Sequence, residues 1–354
     1  MITISLCMIV KNEEKILSKC LDSIKDIADE IIIVDTGSTD NTKKIASFYT
    51  DKIFDFKWID DFSSARNFSF SKASKEYILW LDADDIILKE DRKEFFQLKE
   101  KLSDDTDVVM MRYNVGFDES GNANESYFRE RLVKRSCNFK WADRIHEYIG
   151  VSGKIVNSDV CITHVKNRSN NVRNLKIFKK MRSSSKSFSP RNLYYYAKEL
   201  YFNKQYNHAI LYYKRFLQTN EGWIEDYINA CSEIAQCYRA KNNRENELMY
   251  LMKSFSYDVP RAETCCELGY FFKNANEYNK AIFWFETALS LKKSENTWGT
   301  IKHDCYGYIP SIELCVCYYK LGNKEEAIKY NKLAEEFKPS DKMVEYNKKF
   351  FGDL

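Results

Sequence analysis

The sequence predicts an α/β domain built on a parallel sheet, followed by an all-α helical-repeat domain. Apolar runs alternate with amphipathic helical patterns as far as about residue 170. Three of those runs end in short polar loops, and the last loop carries three carboxylates. From about Asn171 the strand patterns stop, and small and aromatic residues recur at the spacing of paired helices. At 354 residues the chain exceeds one ordinary core, so two domains are expected. Their predicted limits are 1–170 and 191–354, with a linker or helix over 171–190.

Ile2 to Val10 reads as a buried strand that ends at Lys11-Asn12-Glu13-Glu14. Ile16, Leu17, Cys20, Leu21 and Ile24 then share one helical face. Glu30 to Val34 is a second buried strand, running into the glycine turn Asp35-Thr36-Gly37-Ser38-Thr39-Asp40. A helix through about Tyr49 and a strand over Lys52 to Phe56 follow. Asp61 to Ser74 reads as a helix carrying Arg66 and Asn67, and Tyr77 to Leu81 as the strand that delivers Asp82-Ala83-Asp84-Asp85. Near-continuous apolar strands between amphipathic helices imply a parallel sheet covered on both faces.

In such a sheet, ligands bind beyond the carboxyl ends of the strands. Carboxylates at the exit of a central strand are costly to bury without a partner. The Asp82-x-Asp84 pair offers hard oxygen ligands on a short spacing, which suits Mg²⁺ or Mn²⁺ shared with substrate phosphates.

Val10-Lys11-Asn12-Glu13-Glu14, Ile33 to Asp40, Phe62-Ser63-Ser64-Ala65-Arg66-Asn67 and Leu79 to Asp85 together resemble a family-2 glycosyltransferase. The resemblance implies the α/β GT-A fold, a Rossmann-like nucleotide-sugar domain, over residues 1 to about 170. By it, Asp35 holds the uracil of a UDP-sugar, and the strand end with Ile9, Lys11, Asn12 and Glu13 lines the nucleotide. Arg66 reaches the nucleotide or its phosphates, Asp82 and Ala83 meet the ribose side, and Asp84 holds the metal. The chemistry agrees: a carboxylate suits the imide N–H and an arginine suits phosphate oxygens.

Phe128 to Lys134 reads as a further strand, followed by Trp141-Ala142-Asp143-Arg144-Ile145-His146-Glu147. This segment resembles one in repeat-bearing glycosyltransferases. Inverting transfer requires a base on the face opposite the leaving group. Glu147 is the first choice, with Asp143 and His146 behind it. His164 ends another apolar strand, where the resemblance implies a second metal ligand.

In the second half, Ala197, Ala209, Tyr213 and Phe216 form one anchor set, and Ala235, Glu247, Leu251 and Ser254 a weaker one. Gly269, Ala281, Phe285 and Ala288 follow, then Cys315, Ala327, Asn331 and Ala334, closed by Pro339. These sets resemble tetratricopeptide repeats. Intervals of 38, 34 and 46 between first anchors show a degenerate array with an insertion around Asn296 to Ile309. Stacked pairs give a concave surface suited to a peptide or protein, and a platform for a homodimer. The 24 Tyr, 23 Phe and 6 Trp are read as helix packing.

Net charge is +3 from 55 basic and 52 acidic residues, which points to neither nucleic acid nor a membrane surface. No apolar run reaches the length of a membrane span, and the first strand has no basic leader. Eleven cysteines without zinc spacing read as reduced thiols of a cytoplasmic protein. Catalytic domain and repeats together resemble the transferases that glycosylate bacteriocin peptides, including at cysteine sulfur. The resemblance implies a Cys, Ser or Thr acceptor. Two alternatives stand beside it: a transferase that builds a polysaccharide or lipid-linked glycan, and an inactive domain whose repeats bind protein.

Overall fold

The computed structural model describes residues 1–165, 171–184, 187–293 and 297–352. The end of the predicted first domain (166–170), part of the predicted linker (185–186) and the start of the predicted insertion, Asn296, lie outside the described residues. The chain divides into two compact units, Met1–Ser169 and Asn170–Leu354.

The first unit runs β1 (Ile4–Val10), α1 (Leu17–Ile24), β2 (Glu30–Asp35), α2 (Thr42–Ala46), β3 (Ile53–Asp55), α3 (Phe62–Phe70) and β4 (Tyr77–Trp80). It continues with β5 (Asp85–Ile86), α4 (Lys89–Lys101), β6 (Val108–Phe117), β7 (Ala123–Lys134), β8 (Trp141–Ala142), β9 (Tyr148–Ile149) and β10 (Ile155–His164). The main sheet orders these strands β3-β2-β1-β4-β7-β6-β10-β5. Strands β3, β2, β1 and β4 are parallel, as the alternation of strand and helix predicts.

The other half corrects the expectation of a parallel sheet. β7 is antiparallel to both β4 and β6, and β5 is antiparallel to β10. The physical reason is a hairpin. Asp118 and Asn122 close it by a backbone bond of 3.0 Å, and Gly121 turns the chain at φ 84°. Strands joined by so short a connection can only pair antiparallel. β6 itself was not anticipated.

Both faces of the sheet are covered. Leu17, Cys20, Leu21 and Ile24 of α1 and Phe95 of α4 join Ile4, Leu6, Met8 and Val10 in one core. Cys7, Ile32, Val34, Ile78 and Trp80 face the other way, against Phe70 of α3 and Trp141. Alternation along β1 thus sends successive side chains to opposite cores.

The second unit is helical: α5 (Asn171–Ser184), α6 (Pro190–Phe202), α7 (Tyr206–Leu217), α8 (Ile224–Ala240), α9 (Arg244–Lys253), α10 (Ala262–Lys273), α11 (Tyr278–Ser290), α12 (Tyr308–Lys320), α13 (Lys324–Phe337) and α14 (Lys342–Gly352). The four anchor sets fall on the four pairs α6–α7, α8–α9, α10–α11 and α12–α13, save Ser254 in the turn directly after α9, and every anchor is buried. Gly269 shows why a small residue is needed: a Cβ there would lie 2.5 Å from the ring of Phe285. Lys204, Asn242, Asn276 and Gly322, each seven residues past its first anchor, take positive φ between the paired helices.

All eleven cysteines are free. Cys137 is exposed, Cys161 is half-buried and the rest are buried. Burial pushes the thiols of Cys7, Cys231, Cys237, Cys265, Cys315 and Cys317 up to about 12. Burial, and then a hydrogen bond to Asp107, also raise Cys137.

Candidate active site

The loops after β1, β2 and β4 meet at one sheet edge because those strands are parallel neighbours, with Val10 opposite Asp35 and Cys7 opposite Trp80. Asn12 stitches the first two loops together. Its N–H donates to Ser38 Oγ (2.9 Å), and its Oδ1 accepts from Thr39 N–H (2.8 Å). Lys11 is exposed, Ile9 and Glu13 are half-buried, and the Glu13 N–H donates to Thr42 Oγ1 (2.7 Å). Asp35 is almost wholly buried. Its Oδ1 accepts from Gly37 N–H (2.9 Å) and Ser38 N–H (2.8 Å), while its buried Oδ2 has no partner among the described residues. A buried carboxylate oxygen left open is costly unless a ligand donates to it.

α3 begins at Asp61, whose side chain caps it by accepting from Ser64 N–H (2.9 Å). This helix carries Arg66 and Asn67. Asn67 clamps the Trp141 backbone in both directions, each at 2.9 Å, and so fixes the Trp141–Glu147 segment beside the helix. Arg66 lies with its guanidinium carbon 5.1 Å from the centre of the Trp80 ring and 4.7 Å from that of Trp141. Its Nε donates to Glu147 Oε1 (2.6 Å), and its Nη2 to Asp82 Oδ1 (2.7 Å). Three predicted residues, Arg66, Asp82 and Glu147, are therefore joined in one chain. Arg66 is engaged by two carboxylates through Nε and Nη2, which leaves further guanidinium N–H groups for a phosphate. Asp143 (φ 66°) and His146 (φ 51°) share the segment in left-handed conformations, backbone strain of the kind that clusters at functional sites.

Among the described residues, Asp84, Asp85 and His164 can each bring one ligand atom within 4.8 Å of the others. Ala83 is buried between Asp82 and Asp84. Burial, reinforced by the charges of Asp82 and Asp85 and opposed by His164, raises the Asp84 carboxyl to about 6. Asp85 goes the other way: burial would raise it, but Arg131 above all, with His164, Asp82 N–H and Tyr113, holds it at about 2. Burial lowers His164, and the adjacent Asp85 and Asp84 outweigh this and raise it. Oxygen and imidazole donors beside a carboxylate destabilised by its neighbours fit a divalent cation.

Sequence reasoning assigned no role to Asp85, Tyr113, Arg131, Asn67 or Trp80. A signal existed for Arg131, an arginine directly before the apolar Leu132-Val133 of a strand. Its side chain is wholly buried, 3.9 Å from the Trp80 ring centre.

An α/β unit with a carboxylate-rich, strand-end site stands before an array of helical hairpins. Residues 5–160 match the family described as Glycosyl transferase family 2, and residues 262–295 match the tetratricopeptide repeat. The first unit is thus similar to glycosyltransferase family 2, and part of the second to the tetratricopeptide repeat. It is 28% identical over 285 residues to the SPbeta prophage-derived glycosyltransferase SunS of Bacillus subtilis, covering 76% of this chain and 65% of that one. It is 47% identical over 90 residues to a TPR repeat-containing protein of Synechococcus elongatus, 25% of this chain and 22% of that one. The chain thus spans less than two thirds of the length of these curated relatives. The crystal structure of S. aureus TarS 1-349 overlaps 72% of this chain and 91% of its own at 15% identity and a TM-score of 0.36, too distant to argue from.

Proposed function

We propose that the chain is an inverting, metal-dependent glycosyltransferase that moves a hexose or N-acetylhexosamine from a UDP-sugar to a Cys, Ser or Thr side chain of a peptide or protein. The observation that carries this reading is the buried Asp35 Oδ2, open at the same sheet edge that carries Asp84 and His164. Asp35 would accept a hydrogen bond from the uracil imide N–H, with Ile9, Lys11, Asn12 and Glu13 along the nucleotide and Asp82 and Ala83 at the ribose. Asp84 and His164 would hold Mn²⁺ or Mg²⁺, which when bound neutralises charge on the departing diphosphate.

The acceptor attacks the anomeric carbon opposite the diphosphate. The new C–S or C–O bond forms as the C–O bond to phosphate breaks, and the proton passes to Glu147. Arg66 holds Glu147 at 2.6 Å and so fixes where its carboxylate stands. A thiol, already partly ionised near neutral pH, asks less of such a base than a hydroxyl does. Similarity to the SunS glycosyltransferase supports the transfer reading, and the repeats support a peptide or protein acceptor.

The test is turnover of a panel of UDP- and GDP-sugars with and without Mn²⁺. Turnover of one UDP-sugar that requires Mn²⁺ and is lost in Asp84→Ala is expected. Failure to bind any nucleotide sugar would leave protein binding by the repeats as the function.

A further inference from the structure

Trp80 is the last residue of β4, just before the Asp82 loop, and three guanidinium groups gather on its ring. Two of them, Arg129 and Arg131, come from β7. The register of that strand against β6 slips between the pairs Val109–Leu132 and Met110–Glu130. Bulges of this kind re-aim side chains beside active sites. Arg131 is wholly buried and bound to Asp85, and Arg66 is held by Glu147 and Asp82.

Arg129 differs from both. Its guanidinium carbon lies 4.8 Å from the centre of the Trp80 ring, which puts it within about 10 Å of that of Arg66. Its Nε donates to Oε2 (3.3 Å) and its Nη2 to Oε1 (3.1 Å) of the adjacent Glu130. Glu130 is buried, and its Oε1 also accepts from the Ile149 N–H (3.4 Å), two residues beyond Glu147. Burial would lower the Arg129 guanidinium, and Glu130 above all, with Glu147 among the further causes, raises it. Arg129 thus stands beside the chain of Arg66, Asp82 and Glu147, yet its side chain is 24% exposed. An arginine carries five N–H donors in a fixed fork, and Glu130 occupies only part of it. Among the described residues, Nη1 of Arg129 has no hydrogen-bond partner, and neither has Nη1 of Arg66. Two such donors beside one opening match the oxygens of a phosphate.

We propose that Arg129 is a second anion-binding arginine of the site, its Nη1 meeting a phosphate oxygen of the donor diphosphate alongside Arg66. The inference rests on the nucleotide-sugar reading above and deepens it: β7 adds a phosphate contact to those of the strand-end loops, and Glu130 is the positioning residue that holds the fork.

Arg129→Lys is the informative variant. It keeps a positive charge opposite Glu130, but a compact ammonium cannot hold that carboxylate in two bonds and also reach outward as the fork does. Affinities of the full chain for uridine, UDP and inorganic pyrophosphate are measured at one fixed Mn²⁺ concentration, with Arg129→Gln alongside. UDP and pyrophosphate are expected to bind both variants about 10- to 100-fold more weakly, the scale of a hydrogen bond between charged groups, with uridine unchanged. Unchanged UDP affinity in Arg129→Lys overturns the proposal, even if Arg129→Gln does not fold. A loss that uridine shares in equal measure also overturns it, since Arg129 then only supports the fold around Glu130. A wild type that binds no UDP defeats the nucleotide-sugar reading, and pyrophosphate then decides for Arg129. Pyrophosphate binding that Arg129→Lys weakens upholds the anion site, and equal or absent binding overturns it.

Discussion

Asp84 carries the cost of the site at the level of a single residue. Its carboxyl is raised to about 6 by burial and by Asp82 and Asp85, so at neutral pH the fold holds a charge it disfavours. A carboxyl whose folded value lies above its unfolded one loses stability as pH rises through that interval. Asp84→Asn is therefore expected to stabilise the cation-free chain at pH 7 by about 1–2 kcal/mol, allowing for partial exposure. It should also abolish Mn²⁺ binding, and in the wild type that binding should weaken as pH falls below about 6. Thermal melts and Mn²⁺ titrations at several pH values check both, and a lower melting temperature for the variant would contradict the account. The residue types at this edge were legible in the sequence because each follows an apolar run. Asp85, Tyr113 and Arg131 had no assigned role because strands β6 and β7 bring them together. Tyr113 lies 28 residues and Arg131 46 residues from Asp85, beyond the reach of local pattern.

At the scale of elements, legibility followed periodicity. The repeat anchors stood out because each hairpin must place small residues where helices touch and aromatics where they part. The helix-to-helix turns did not stand out, since lysine and asparagine do there what glycine usually announces. Strand β6 was missed although Val108 to Met111 is apolar, and the hairpin it makes with β7 turned a predicted parallel sheet into a mixed one. Helix α2 was read as reaching about Tyr49 but ends at Ala46. The contact of Gly269 with Phe285 yields a direct expectation. Gly269→Ala places a methyl where the ring already lies, so it should destabilise the second unit by about 1–3 kcal/mol despite alanine's better helix propensity. Denaturant unfolding would show this, and a neutral result would mean that the ring yields freely.

For the whole molecule, the candidate site residues all lie within residues 1–165, and the repeats occupy the second unit. Under the proposed function, a chain of residues 1–169 is expected to retain Mn²⁺-dependent hydrolysis of its UDP-sugar and to lose most transfer to a peptide. Comparing the two rates for the short and full chains tests it, and undiminished transfer by the short chain would remove the repeats from acceptor binding. Among the described residues, no helix is long and apolar enough to cross a membrane.

The cysteines acquire a further meaning if the acceptor is a thiol. A catalyst that glycosylates sulfur is surrounded at every encounter by the sulfur of its own copies. Here nine of eleven thiols are shut inside the fold, and six of those are held up at about 12, far from the nucleophilic thiolate. Cys137, on the surface, is also raised, by its partial burial and then by its hydrogen bond to Asp107. The same packing that fills the two cores would thus also spare the enzyme from labelling itself.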